Sequence, residues 1–222
     1  MADEGSFGVK GHGERVYTVG HSRHPIEHFV GLLQQHGITL LADVRSTPFS
    51  RFNPQFNRSS LSQSLAAVGI GYDFLGEALG ARSTDPDCFE NGRVSYRRLA
   101  QSESFRRGIE HLRTELNAKR VAIMCAEREP LDCHRTILVG RELEREGVAV
   151  THILADGSLE ENEHALRRLI TRLGLGADDL FRDSAALEEA AYDAQGAKIS
   201  YAPKATEKTP TGSPRRPPPS TR

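Results

Sequence analysis

Short apolar runs alternate with segments of helical periodicity from residue 16 to residue 173. Five runs rich in aliphatic and β-branched residues predict strands, at 16–20, 38–45, 70–75, 120–125 and 148–154. Apolar residues at helical spacing predict helices between and after them, at 25–36, 59–69, 97–119, 136–147 and 159–173. This alternation predicts an α/β fold: a single three-layer domain with a mostly parallel central sheet, Rossmann-like or rhodanese-like in outline.

The two ends of the chain differ from this alternating region. Residues 1–14 are polar and glycine-rich. Residues 183–222 could form a short helix at 185–195 and end in a stretch rich in proline, threonine and basic residues. We therefore predict a folded domain over 15–182 between disordered N- and C-terminal tails. The long segment 76–96 is predicted to be an irregular loop, which in a compact domain is usually functional or mobile.

Composition narrows the class of protein. The chain has 222 residues, of which 37% are hydrophobic and 27% charged, and this suits one globular domain with polar tails. The formal net charge of -1 predicts no partner by itself. Nucleic-acid binding would therefore depend on the basic tail. The favoured alternative is that this tail is only solvated and binds no partner. No apolar run is long enough to cross a bilayer and the N-terminus has no signal-peptide core, so we expect a cytoplasmic protein without a membrane partner. The sequence does not indicate an oligomeric state.

Polar residues follow every predicted strand. In strand order they are Gly20, His21, Ser22 and His24, then Asp43, Arg45 and Ser46, then Glu77, then Cys125 and Glu127, and last Asp156. Because open α/β sheets bind ligands outside the carboxyl ends of their strands, we expect one pocket at this edge. Gly20 would let the backbone approach a ligand closely. Asp43 and Arg45 are two residues apart and point to the same face of a strand, where they form either an ion pair or a substrate contact.

The segment 121–147, VAIMCAEREPLDCHRTILVGRELEREG, holds two of the three cysteines. Three cysteines do not suggest a disulfide framework, and in a reducing compartment clustered Cys and His indicate a metal site or catalysis. Asp132 is the predicted N-cap of the following helix, which puts Cys133, His134 and Arg135 in its first turn. Free backbone N–H groups and the helix dipole there would lower a thiol pKa and favour an anion. The alternative is that both cysteines are only small buried hydrophobic residues.

The first of three functional interpretations is an enzyme, a hydrolase or transferase, that acts on a small anionic or nucleotide-like substrate. In this interpretation Arg45 and Arg135 hold the anion, and Gly20, Ser22 and Asn53 complete the substrate site. The catalytic set consists of Glu127 as general acid or base, His21 and Asp43 as orienting or proton-relaying groups, Cys125 or Cys133 as nucleophile, and the adjacent His134.

Two other interpretations stay open. In the second, the cofactor is a metal bound by Cys125, Cys133 and His134, although seven residues between the cysteines exceed the usual spacing of zinc ligand pairs. In the third, a non-catalytic domain recognises a phosphorylated or nucleic-acid ligand through its arginines, namely Arg45, Arg51, Arg58, Arg82 and Arg135. The sequence shows no aromatic–basic interleaving of the kind found in single-strand binding proteins.

Several motifs resemble those of one known family in order and spacing. They are VGHS (19–22), LADVRSTPFSRFNPQFN (41–57), IGYDFLGEALG (70–80), NGRVSY (91–96) and MCAEREPLDCHR (124–135). Over about residues 15–155 the chain closely resembles the family known as domain of unknown function 488 (DUF488). The resemblance implies no particular reaction. Some members of that family carry DNA-repair labels, which adds the alternative of a nucleic-acid-associated accessory protein whose salt-sensitive binding would depend on residues 198–222.

A looser likeness to rhodanese-type domains rests on Asp-Val-Arg after one strand and a cysteine-bearing loop after another. Rhodaneses cradle their anion with a short loop between the cysteine and the helix. Here ten positions separate Cys125 from Arg135, and Pro130 interrupts them. This spacing argues against Cys125 as a persulfide carrier.

Overall fold

The five predicted strands and one further short strand form a six-stranded sheet in the computed structural model, which describes residues 14–175 and 183–203. The strands of this sheet and of a separate two-stranded ribbon are β1 (Arg15–Gly20), β2 (Leu40–Asp43), β3 (Gly71–Phe74), β4 (Phe89–Glu90), β5 (Arg93–Val94), β6 (Val121–Cys125), β7 (Ala149–Ile153) and β8 (Leu159–Glu161). The order across the large sheet is β3-β2-β6-β1-β7-β8, and only β8 is antiparallel to its neighbour. The predicted mostly parallel α/β sheet is therefore confirmed.

Helices cover both faces of this sheet. They are α1 (Ile26–Gln35), α2 (Arg58–Ala66), α3 (Gly76–Leu79), α4 (Tyr96–Gln101), α5 (Glu103–Leu116), α6 (Arg141–Arg145), α7 (Asn162–Arg172) and α8 (Ser184–Ile199). Because successive strand residues point to opposite faces, β6 sends Ala122 and Met124 to a core cluster with α1 and α2, and Val121 and Ile123 to a second cluster with α5 and α7. Among the helices described, none is long and apolar enough to cross a membrane.

The strand order brings three strand ends together at the carboxyl edge. The chain passes from β1 to β2 across the position that β6 later fills. Gly20 then lies beside Cys125, and Asp43 lies beside Met124. Cys125 is therefore held between the ends of β1 and β2, where the polar residues after each strand converge.

Two predicted segments are divided more finely than the hydrophobic pattern suggested. The single helix predicted at 97–119 is interrupted at Ser102, whose extended backbone (φ -66°, ψ 146°) lets its hydroxyl accept the Phe105 N–H and cap α5. The segment 76–96, predicted as irregular, contains α3 and the β4–β5 hairpin. The turn of that hairpin has Asn91 and Gly92 at positive φ, 51° and 75°, which suits a two-residue hairpin loop.

The predicted N-cap role of Asp132 is wrong. Asp132 ends a short 3-10 turn, and its carboxylate is 3.0 Å from the Arg172 guanidinium instead of capping a helix. Cys133 follows in extended backbone (φ -135°, ψ 142°), and its carbonyl accepts the Ile137 N–H. The helix then begins as a π-helical segment, Arg135–Gly140, and continues directly into α6.

The prediction of a flexible tail from residue 183 is wrong for its first part. Residues 184–199 form α8, which packs against α7 and the π-helical segment. Tyr192 is buried, and its hydroxyl lies 2.7 Å from Asn162 Nδ2 and 3.0 Å from Glu144 Oε2. The helix was underestimated because its buried residues are Ala191, Tyr192, Gln195 and Gly196, among which only Tyr192 is a large apolar side chain. The predictions of disorder at 1–13 and 204–222 fall outside the described residues.

Candidate functional site

A cavity of about 610 Å³ opens at the carboxyl edge of the sheet. Most of the predicted site residues line it, namely His21, Ser22, Arg45, Asn53, Cys125, Glu127, Cys133 and His134. The structure thus brings together side chains from four separate parts of the sequence. Three other predicted site residues do not line the cavity, namely Gly20, Asp43 and Arg135. The carboxylates that follow two further strands, Glu77 and Asp156, do not line it either.

Four side chains form a tight cluster in the cavity wall. The Cys125 Sγ lies 3.0 Å from Glu127 Oε2, and the Cys133 Sγ lies 3.3 Å from the same oxygen. His134 Nδ1 lies 3.6 Å from the Cys125 sulfur and 3.9 Å from the Cys133 sulfur. We call this set of Cys125, Glu127, Cys133 and His134 the thiol cluster. Both cysteines are free and buried, whereas Glu127 is partly open to solvent.

The orientation of the His134 ring is fixed by the backbone. Its Nε2 lies 2.9 Å from the carbonyl oxygen of Val44, so Nε2 must donate a hydrogen bond there. In the neutral ring Nδ1 is then unprotonated, and its lone pair faces the two sulfur atoms. A histidine in this position can accept a thiol proton or bind a metal.

The thiol cluster concentrates acidic groups in a buried place. The hydrogen bond to Cys133 and burial raise the pKa of Cys125 well above its usual range. Burial also opposes ionisation of Cys133, but hydrogen bonding from Cys125, the charge of Arg135 and the contact with His134 outweigh it and lower its pKa. Burial and the neighbouring Cys133 raise the pKa of Glu127. Ionisation of one acid in the cluster therefore opposes ionisation of the others.

Arg135 supports this loop from beneath rather than facing the cavity. Its side chain is 1% exposed, and its guanidinium donates to the carbonyl oxygens of Glu127 (2.6 Å) and Arg128 (3.2 Å). The predicted anion-binding role is not supported by this placement, because the guanidinium is committed to backbone oxygens. Gly20 lies against the same loop, where a Cβ would be only 1.9 Å from the carbonyl oxygen of Glu127. Gly20 thus permits close approach of the loop, not of a ligand.

Asp43 and Arg45 form a buried ion pair behind the cavity wall. Asp43 is 0% exposed and Arg45 5% exposed, and their contacts are bidentate, at 2.9 Å from Nε and 2.6 Å from Nη2. Arg45 also donates to the Phe56 carbonyl oxygen at 2.8 Å, and the Tyr72 hydroxyl donates to Asp43 at 2.8 Å. Of the two alternatives for this pair, the structure has the ion pair, and Arg45 also lines the cavity.

His21 is held neutral by these neighbours. Its Nδ1 donates to the Ser22 carbonyl oxygen at 2.9 Å, so its Nε2 accepts from Arg45 Nη1 at 3.1 Å. Burial, and then the charge of Arg45, lower the pKa of His21 to about 4. Because its free lone pair is already used, His21 positions Arg45 and is not available to relay a proton in this arrangement.

Comparison with known proteins gives a family. The family model for the domain of unknown function DUF488 matches residues 25–141, slightly more than half of the chain. The chain belongs to the DUF488 family. The resemblance to this family is thereby confirmed over those residues, which hold all of the quoted motifs except VGHS at 19–22. No curated protein and no solved structure matches the chain.

Several residues of the cavity were not predicted. Within the DUF488 match, Arg82 and Tyr96 line it, although Arg82 had been considered only as a general loop arginine. Outside the match, Arg23 and Tyr201 contribute, and the Arg82 guanidinium lies over the Tyr201 ring at 5.1 Å from its centroid. Tyr201 was missed because residues after 183 gave no signal of a packed segment. An aromatic residue that interrupts a polar tail is the signal that was available.

Proposed function

We propose that this DUF488 protein is an enzyme, a hydrolase or transferase, that acts on a small anionic substrate in the cavity at the carboxyl edge of the sheet. One observation carries the proposal. The same cavity is lined by the thiol cluster and by three arginine side chains, Arg23, Arg45 and Arg82. Reactive groups beside cationic ones suit a substrate whose charged group is held while a neighbouring bond reacts.

The arginines are suited to bind an anion because little inside the protein neutralises them. Within the described ranges, neither Arg23 nor Arg82 has a carboxylate within salt-bridge distance. Arg45 is paired with Asp43, yet a guanidinium has five N–H donors and four of them are used by Asp43, Phe56 and His21. One donor of Arg45 is left for a ligand. Guanidinium groups bind carboxylate and phosphate oxygens with good geometry.

The thiol cluster supplies the reacting groups in this proposal. Glu127 Oε2 contacts both sulfur atoms and is reached from solvent, so it can exchange protons with a substrate. Cys133 is the stronger candidate for a nucleophile, because the positive charge of Arg135 and the contact with His134 both favour its thiolate. Ser22 and Asn53 complete the lining near the arginines.

The test uses inorganic phosphate, pyrophosphate and AMP as anionic probes in titration calorimetry. We expect saturable binding in the millimolar range or tighter. Loss of one charge-assisted contact of about 1.5–3 kcal/mol should make binding by the Arg82→Ala variant roughly 10- to 100-fold weaker. Arg106→Ala removes the same charge from the exposed face of α5, away from the cavity lining, and should leave binding unchanged.

Two results would overturn the proposal. One is the absence of saturable binding for all three anions. The other is equal weakening in the Arg82→Ala and Arg106→Ala variants, which would show that only overall charge matters. A positive binding result leads to turnover assays on phosphoesters and thioesters with Glu127→Gln as the variant expected to lose activity.

A second candidate is supported by a separate observation at the rim of the cavity. Phe49 and Phe52 are 66% and 83% exposed, and the Arg51 guanidinium lies 5.3 Å from the centroid of the Phe52 ring. Exposed aromatic rings beside an arginine suit stacking of nucleic-acid bases. This candidate predicts salt-sensitive binding of a single-stranded oligonucleotide that is weakened in the Phe52→Ala variant.

A further inference from the structure

We propose that the thiol cluster is a binding site for one divalent transition-metal ion of the zinc class, with Cys125, Cys133, His134 and Glu127 as its four ligands. The site goes beyond the proposed function, since metal binding does not require the anion. It also deepens that function, and to this extent rests on it, because a metal in this cavity would lie beside the bound anion.

The separations of the four donor atoms fit one metal ion. The two sulfur atoms and His134 Nδ1 all lie within 4.8 Å of one another. The four measured donor-to-donor distances that involve Glu127 Oε2 or His134 Nδ1 are 3.0, 3.3, 3.6 and 3.9 Å. Zinc bonds of about 2.0–2.3 Å in a tetrahedron place neighbouring ligand atoms roughly 3.3–3.8 Å apart. Small movements of the side chains would therefore complete the coordination.

The chemistry of the donors agrees with their geometry. Thiolate and imidazole ligands suit zinc and its neighbours in the first transition row, whereas magnesium and calcium prefer oxygen alone. His134 is already oriented for ligation, since its Nε2 donates to the Val44 carbonyl oxygen and leaves Nδ1 directed at the sulfur atoms. A backbone carbonyl on the far side of a ligating imidazole is the usual outer contact of a metal-bound histidine.

A divalent cation would also resolve the crowding of acids in the cluster. Both thiols contact one carboxylate oxygen, and the Arg135 guanidinium beneath the loop donates to the carbonyl oxygens of Glu127 and Arg128. When a metal binds, the remaining thiol protons leave to solvent and two thiolate–metal bonds form. No oxidant or reductant is needed for this step.

The fold explains how cysteines seven residues apart can share one ion. Cys125 ends β6, and the chain returns to Cys133 through a loop that Arg135 and Gly20 hold close to the sheet. Gln195 of α8 also anchors this loop, donating to the Leu131 carbonyl oxygen at 2.8 Å. The support that these residues give replaces the short hairpin that places two cysteines in the usual zinc motifs.

One of the four ligands is placed to be exchangeable. Both cysteines and His134 are buried, whereas Glu127 is partly exposed at the cavity surface. Three fixed ligands with a fourth position open toward a pocket are typical of catalytic rather than structural zinc sites. A substrate oxygen or water entering the cavity could then take the place of Glu127, whose carboxylate would stay nearby as a base.

The first experiment measures the metal content of the tag-free full chain, purified anaerobically without chelator, by elemental mass spectrometry. We expect near-stoichiometric zinc, or a related metal, in the wild type and in Cys88→Ala, which alters the third, buried cysteine outside the cluster. Cys125→Ser and Cys133→Ser should lose the metal. Glu127→Gln, a milder change at an exposed position, should retain the fold and bind zinc at least roughly 10-fold more weakly, because even the outer contacts of a metal ligand contribute that much to affinity.

Cobalt gives a second readout that does not depend on the cysteine variants folding. Apoprotein titrated with Co²⁺ should develop a near-ultraviolet thiolate-to-cobalt absorption and visible bands of tetrahedral intensity, and one equivalent of Zn²⁺ should remove both. Wild-type protein that contains no transition metal and shows no such absorption with Co²⁺ would overturn the metal site. Metal content that is unchanged in folded Cys133→Ser would overturn the ligand assignment.

The outcomes separate this inference from the proposed function. Metal-free protein that still binds phosphate through Arg82 would end the metal proposal alone and leave Cys133 and Glu127 to react directly. Protein that binds zinc through the thiol cluster but no anion would support the metal site and overturn the anion-binding enzyme.

Discussion

Replacing Asp43 with asparagine tests whether the ion pair with Arg45 organises the wall of the cavity. Asp43 is fully buried and accepts hydrogen bonds from the Arg45 guanidinium, the Arg45 backbone N–H and the Tyr72 hydroxyl. Asparagine has nearly the same shape but carries no charge and has one accepting oxygen in place of two. Asp43→Asn therefore leaves the buried Arg45 cation without its counterion and directs an amide N–H at one of its former donors.

The expected cost follows from this loss of compensation. Removing one partner of a buried ion pair typically destabilises a protein by about 3–5 kcal/mol, because the remaining charge is left desolvated. A domain of ordinary stability has about 5–15 kcal/mol in total, so the variant should stay folded but lose a large share of its stability. The loss should also weaken phosphate binding, since Asp43 holds the guanidinium that faces the cavity.

The assay is urea unfolding followed by far-ultraviolet circular dichroism, analysed as a double-mutant cycle with Arg45→Gln. Each single change should cost about 3–5 kcal/mol, and the double change clearly less than their sum, because it removes both charges together. Asp73→Asn is the control: it lies on β3 in a half-exposed pair with His111 and should cost less than about 1 kcal/mol. If Asp43→Asn costs no more than the control, the pair does not hold this wall and the reasoning fails.

Two further predictions concern acid stability and the C-terminal helix. Burial lowers the pKa of both His21 and His152 to about 4, so between about pH 6.5 and 4 the unfolded chain takes up protons that the folded chain does not. Stability should fall as the pH is lowered through this window, by about 2 kcal/mol per histidine at pH 5 relative to pH 8. In urea unfolding, the His152→Gln variant should lose roughly half as much stability over this range as the wild type loses through the two histidines together. Equal acid losses in variant and wild type would contradict the assignment. Tyr192→Ala should cost about 3–5 kcal/mol in the same assay and Tyr192→Phe about 1 kcal/mol, whereas unchanged stability in both would mean that α8 does not dock as described.

The sheet could be predicted because its strands are nearly continuous apolar runs. β2 and β6 are buried along their full length, which gives a signal that needs no knowledge of neighbours. β8 lacked that signal: residues 159–161 are Leu-Glu-Glu at the edge of the sheet and read as the start of a helix. α8 lacked it for a different reason, since small residues and hydrogen bonds such as that of Gln195 attach it to the domain.

The convergence of site residues could be predicted, but the direction of each side chain could not. Strand ends in a parallel sheet meet at one edge, and this alone places Cys125, His21 and Arg45 together. Whether a side chain then faces the cavity depends on the backbone that follows the strand. Arg135 follows Cys133 and His134 directly in sequence, yet it points beneath the loop while they point into the cavity.

The π-helical segment after Cys133 accounts for this division of roles. A π-helical turn holds more residues than an α-helical turn, and such turns are frequent at functional sites. Each residue of an α-helix advances about 100° around the axis, so converting Arg135–Gly140 to α-helix would rotate the preceding side chains against α6 by roughly that angle. His134 would then lose either Val44 or the sulfur atoms, and Arg135 would lose the carbonyl oxygen of Glu127. The π-helical segment thus allows His134 to line the cavity while the adjacent Arg135 supports the loop beneath it.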